Sequence, residues 1–215
     1  MSALADLLSG GFLPRFVAGM LVNFEIALIS IAVGLALGMV LALGRLAGGA
    51  LGGLAASTVA LMRAAPTFVV MFFLLNTVPR DAHIFGVPFA LSGVLTVALS
   101  LVPYSAAYVA DAGLDTLRHL RAGSTHGALL FLPNVTRAFF VLVMSSSAGA
   151  AIGVTEAITV ILRQAEQLPT LSDRLSLFAV GIVLFGIPLQ AAFVLIGLVQ
   201  RYLGRTAEVT DEASA

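Results

Sequence analysis

Apolar residues in this chain come in long runs broken by isolated charges, so the gaps between charges can be read as candidate membrane helices. A bilayer core ~30 Å thick needs about 20 apolar residues of helix to cross it. Five such segments are predicted: residues 16–43, about 55–78, 89–110, 134–154 and 175–200, the last following a polar stretch at 163–174. The first holds one charge, Glu25, and the second encloses Arg63. An all-α, polytopic membrane protein of five transmembrane helices is therefore expected. Its transmembrane domain should span residues 1–205, and the small, polar, acidic residues 206–215 should form a disordered cytoplasmic tail.

Composition reinforces this reading. Of 215 residues, 60% are hydrophobic and 10% charged, with a mean hydropathy of +1.07, which excludes a water-soluble domain with a polar shell. The net charge is zero and every basic residue is an arginine standing alone, so no nucleic-acid partner is expected. Cysteine is absent, which removes disulfides and thiolate chemistry. His83, His119 and His126 lack metal-ligand spacing, so no metal site is predicted. The sequence contains no H-E-x-x-H, G-x-S-x-G or G-x-x-x-x-G-K, so the chain is not expected to be an enzyme, and any ATP hydrolysis would sit on another chain. No basic residue precedes Arg15, unlike the start of a cleaved signal peptide. An odd number of spans puts the termini on opposite sides. With the N-terminus outside, the cytoplasmic side receives Arg45, Arg118, Arg121, Arg137, Arg201 and Arg205, against Arg15, Arg80, Arg163 and Arg174 outside, so N-out, C-in is predicted.

Polar groups inside apolar runs are the candidates for function, because a charge in a membrane helix is costly and turns towards a cavity or a partner. Glu25 lies nine residues beyond Phe16, ~14 Å along a helix, and is either a structural partner or the lining of an aqueous path. Arg63 precedes Ala64, Ala65 and Pro66, where proline weakens the helix and predicts a kink. Tyr104 and Tyr108 are four apart on one face, and Asp111 is expected to close the third span. Ser145, Ser146 and Ser147 cannot all face one way, so at least one should bond back to a helix carbonyl. Glycine pairs at four-residue spacing, Gly34 with Gly38, Gly48 with Gly52 and Gly149 with Gly153, predict close helix approach. Five spans leave little room for a water-filled path within one chain, which points to an oligomer.

In order, these segments resemble the membrane-spanning subunit of bacterial polar amino acid ABC importers. Leu13 and Pro14 open a stretch that looks like that family's L-P-x-L-x-x-G-L-x-x-T-L. The run from Met62 to Phe73 is similar to its F-R-G-T-P-L-L-V-Q-L-F-F, keeping Arg63 and Pro66. Ser105 to Asp111 resembles S-A-A-Y-x-A-E with Asp for Glu, and Ile152 to Glu156 repeats I-G-V-T-E. The resemblance implies a type I permease in the bacterial inner membrane, working with a second permease subunit, ATPase subunits that carry ATP and Mg, and an external solute-binding protein. The cargo would be a polar small solute, an amino acid or a related compound. Glu25, Arg63, Tyr108, Ser146 and Glu156 are the expected substrate-path residues.

One departure stands out. The family's E-A-A…G coupling motif, which docks into the ATPase, is replaced around Gly123, His126, Gly127 and Ala128, and the separation from Asp111 to Glu156 is roughly 20 residues shorter, ~30 Å of helix. The family's K-D-T-S is also changed, to Met144, Ser145, Ser146 and Ser147. The chain thus reads as the coupling-deficient half of a heterodimer. A non-transporting, permease-like partner of another membrane subunit is the alternative reading.

Overall fold

The structure is a computed structural model describing residues 8–78, 83–84, 87–88, 91–124, 129 and 131–212. It is helical apart from one short antiparallel hairpin, His83–Ile84 (β1) with Val87–Pro88 (β2), where His83 faces Pro88 and Ile84 faces Val87. Helix α1, Leu13–Ala47, starts with Pro14 in its first turn, where the missing amide costs nothing, and stops at Gly48, whose φ of +72° suits glycine. Helix α2 follows at once as Gly49–Ala64. The chain then turns extended at Ala65 and Pro66 before α3, Thr67–Thr77.

Helix α4, Gly93–Arg121, begins at Ser92, whose hydroxyl accepts from the Leu95 amide at 3.2 Å. Pro103 lies inside it. Helix α5, Phe131–Ser145, runs into a tighter 3-10 segment, Ser146–Ile152, closed by Gly153 at φ +82°. Two further helices complete the chain: α6, Ala157–Ala165, and α7, Leu171–Glu212.

Among the described residues, four helical stretches are long and apolar enough to cross a membrane, and α2 with α3 make a fifth if that pair counts as one span. The pair is bent by 92°, so the second expected span is a broken one, with the kink where Pro66 removes a donor. Asp111 does not close the third span. The helix continues through Arg121 because residues 112–121 hold helix formers and an amphipathic pattern, and Arg118, His119 and Arg121 suit its C-terminal dipole. The Ala157–Ala165 helix falls outside all five expected spans; its hydrophobic face packs Val160, Ile161 and Ala165 against Phe12, Phe16 and Leu177. At the other end, α7 runs through Glu212, into the stretch expected as a tail, since residues 206–212 contain neither Gly nor Pro.

The core lies between α1 and α4. Ile26, Ala27 and Ile31 meet Val97, Ala98 and Leu101, and α5 adds Ala138, Leu142 and Val143. The expected glycine contact is present here: a Cβ on Gly34 would run into Ser105, and one on Gly38 would come within 2.6 Å of the Ala106 carbonyl. Hydroxyls reinforce the seam. Ser105 Oγ donates to the Ser30 carbonyl at 2.8 Å, and Ser30 Oγ lies 2.9 Å from the Ala98 carbonyl. Gly48 serves a different end from the one expected, since it breaks the chain between α1 and α2. By contrast, the membrane-length stretch of α7 is only 6% buried, leaving Ile182, Val183, Ile187, Val194 and Leu195 exposed.

Candidate functional site

The expected path residues separate into three places. Ser146 and Glu156 lie in a buried network with Asn23. Glu156 precedes α6 as its N-cap, its Oε1 accepting from the Thr159 amide at 2.8 Å and its Oε2 from the Ile158 amide at 2.9 Å. Asn23, from α1, donates to Glu156 Oε2 at 3.2 Å and to Ser146 Oγ at 2.8 Å, and its Oδ1 accepts from the Ala157 amide at 3.2 Å. Ser146 Oγ donates to the Val143 carbonyl at 2.7 Å, and Ser145 bonds back to Val141 as expected of this serine run. Glu156 is 0% exposed, so its carboxylate stands behind the surface and ties α1, the 3-10 segment and α6 together.

Arg63 lies elsewhere, at the end of α2 beside the break. It pairs with Asp111 Oδ2, while Arg45 Nη1 meets Asp111 Oδ1 at 2.7 Å, so one carboxylate joins α1, α2 and α4. This bridging carboxylate, held by one contact from each arginine, ties the elbow before Pro66 to the bundle. Tyr108 and Tyr104 share the helix face that leads to Asp111, with ring centroids 6.3 Å apart. Replacing Asp111 with Asn should loosen the elbow and lower stability by about 1 kcal/mol, since all three groups are partly exposed. Thermal unfolding in detergent at low and high salt checks this: the gap between parent and variant should shrink as salt rises.

Glu25 stands apart from both clusters. It is exposed on α1 and, among the described residues, makes no hydrogen bond or ion pair. In the stretch expected as a degenerate coupling loop, Gly123 terminates α4: at φ +80° its amide donates to Leu120 O at 3.1 Å, and the Ser124 amide donates to His119 O at 2.9 Å. His126, Gly127 and Ala128 lie outside the described residues. Sequence reading passed over Asn23, although a buried amide two residues before Glu25 in an apolar run was its signal. It also left Arg45 and Asp111 unpaired, because a partner 66 positions away has no local trace.

The backbone matches a chain of a crystal structure described as an amino acid ABC transporter with histidines, with a TM-score of 0.68 and 18% identity over 92% of this chain and 98% of that one. The chain shares the fold of that transporter chain. No protein-family profile and no curated protein matches the sequence. Within this fold the bent α2 and α3 pair meets the bundle at Asp111, and Glu25 lies on an exposed face of α1.

Proposed function

We propose that this chain is a permease subunit of a binding-protein-dependent ABC importer in the bacterial inner membrane, forming half of the pathway for a polar small solute, an amino acid or a related compound. The shared fold over nearly the whole chain carries the reading. ATP and Mg would be held by separate ATPase subunits, and a solute-binding protein would deliver cargo on the outer side, where the N-terminus is placed by the arginine distribution. Glu25 supports a path along α1, because an unpartnered carboxylate at mid-helix is tolerated against water or a second subunit and not against lipid. Tyr108 and Arg63 would follow on the α4 side, with Ser146 and Glu156 holding the wall from behind. Ser124 follows directly on the helix stop at Gly123, and only residues 122–130 separate α4 from α5. This spacing supports a coupling-deficient half whose partner permease makes the main ATPase contact. The same short connection favours the second reading, a permease-like partner that does not transport.

Uptake by the intact complex distinguishes the two. The chain should copurify with a second permease, an ATPase and a binding protein, and Glu25→Gln should cut uptake about tenfold or more while leaving membrane insertion intact, which corresponds to ~1.4 kcal/mol or more in the path. Normal uptake by Glu25→Gln would remove Glu25 from the path, and copurification with an unrelated membrane complex would support the second reading.

A further inference from the structure

A groove of about 370 Å³ opens between the first turns of α1 and the outer face of α6. Arg15 and Arg163 line it, together with Gln164, Gln167 and Thr155. The two helices run in opposite directions here. A Cβ on Gly19 would come within 2.7 Å of the Ala157 amide, and Asn23 bonds that same amide, so the N-terminus of α6 lies level with residues 19–23 of α1. The other end of α6, with Arg163 and Gln164, therefore rises to the level of Arg15. Both guanidinium groups stand at the end of the bundle where α1 begins, and Ala18 and Val22 line the deeper wall, down to about 10 Å below Arg15.

The arginines are held differently. Arg15 Nε donates to the Gly11 carbonyl at 3.1 Å and its Nη2 to Gly10 at 3.5 Å, which fixes the guanidinium and leaves Nη1 free of these bonds. Arg163 has no hydrogen bond or ion pair among the described residues. Gln164 Nε2 donates to Gln167 Oε1 at 2.8 Å, so the amide nitrogen of Gln167 is not engaged by this bond. Glu166, the nearest acidic residue in sequence, is not part of the lining. The groove thus offers two positive charges, an amide donor and a hydroxyl, with no carboxylate among the described lining residues, and guanidinium groups bind carboxylate and phosphate oxygens in fork geometry. Below it, Ala18, Val22 and Glu25 follow on one stripe of α1, with Glu25 about 15 Å below Arg15.

We propose that this groove is an oxyanion-recognition site at the mouth of the path, where Arg15 and Arg163 receive a carboxylate or phosphate group of a solute before it moves down the stripe to Glu25. Its place on the path rests on the permease reading; its anion selectivity does not. The chemistry is shared with anionic lipid headgroups, and the experiment separates the two sources.

The chain has no cysteine, so Thr155→Cys gives a single thiol in the groove, and Ala18→Cys on the other wall replaces it should that variant fail to fold. In detergent, the anionic sulfonatoethyl methanethiosulfonate should label this thiol about tenfold faster than the cationic trimethylammonium reagent, after correction for their rates with a free thiol. Adding Arg15→Gln and Arg163→Gln should bring the ratio to about one. Sodium phosphate or acetate, replacing chloride at equal ionic strength, should slow labelling. A parent ratio near one, or one that ignores both arginine substitutions, overturns the site. Protection in nanodiscs containing phosphatidylglycerol, without protection by soluble anions, overturns the solute assignment in favour of a lipid headgroup, and protection by neither overturns binding. None of these readouts uses transport, so a working anion site in a complex that does not import would count against the permease reading alone.

Discussion

The double substitution Gly34→Ala, Gly38→Ala should leave a chain that inserts into membranes but elutes as an aggregate in detergent. The new Cβ atoms would sit where α1 touches α4: Gly34 against the Ser105 side chain, whose Cβ would be 2.7 Å away, and Gly38 against the Ala106 carbonyl at 2.6 Å and Val109 Cβ at 2.7 Å. A carbonyl in the middle of a helix cannot rotate away, so the helices must separate. Overpacking of this kind costs about 1–3 kcal/mol per site, and displacing Ser105 also breaks its bond to Ser30. Gly53→Ala is the control. Its Cβ would meet nothing within 4 Å, and alanine should stabilise α2 by up to about 1 kcal/mol. Thermal unfolding followed by size-exclusion chromatography reads all three variants. An intact double variant with parent-like unfolding would show that the α1 and α4 seam is not close-packed.

Glu156→Gln should be nearly as damaging, although it preserves size and shape. The carboxylate accepts from the Ile158 and Thr159 amides and from Asn23 Nδ2, and Thr159 Oγ1 lies 3.0 Å from Oε1. A glutamine offers one acceptor oxygen and turns an NH2 towards the remaining donors, so at least one buried donor loses its partner, at about 1–3 kcal/mol. Loss of the cap itself falls in the same range, about 0.5–2 kcal/mol. Asn23→Ala should cost less in this background than it does alone, because it also removes a donor that glutamine cannot satisfy, while the buried Ala157 amide still loses its acceptor. Additive losses in that double variant would place Asn23 and Glu156 in separate networks.

Much of the architecture was legible because lipid enforces a simple rule: charges interrupt spans, and the gaps between them locate α1, α5 with its 3-10 extension, and the membrane stretch of α7 to within a few residues. The Pro66 kink and the serine back-bonds were legible because they are local. The length of α4 was not. Asp111 looks like the end of a span, yet a charge ends only the apolar stretch, and the helix itself continues until Gly123 offers a left-handed stop. The residues expected on a path stand out in the sequence as polar exceptions, but grouping them needs tertiary placement. Glu156 and Ser146 turned out to share a partner, Asn23, that lies 133 positions from Glu156. Arg15 and Arg163 read as boundary charges on separate spans, and only the antiparallel approach of α6 to α1 brings them to one groove.

Helix α4 also has a mechanical consequence. It is one rod of 29 residues, about 44 Å long, with its lower end beside the connection to α5 and its middle bound to α1 through Ser105 and Asp111. Pro103 supplies no amide to the Leu99 carbonyl, so the rod has a soft point about 27 Å above its lower end. A sideways force at Gly123 would therefore act as torque on the lower arm, and the first parts to swing with it would be the tyrosine pair, Asp111 and the two arginines that grip it. The elbow at Pro66 would be carried along, so that a displacement too small to break the bundle could still reshape the surface beside Tyr108.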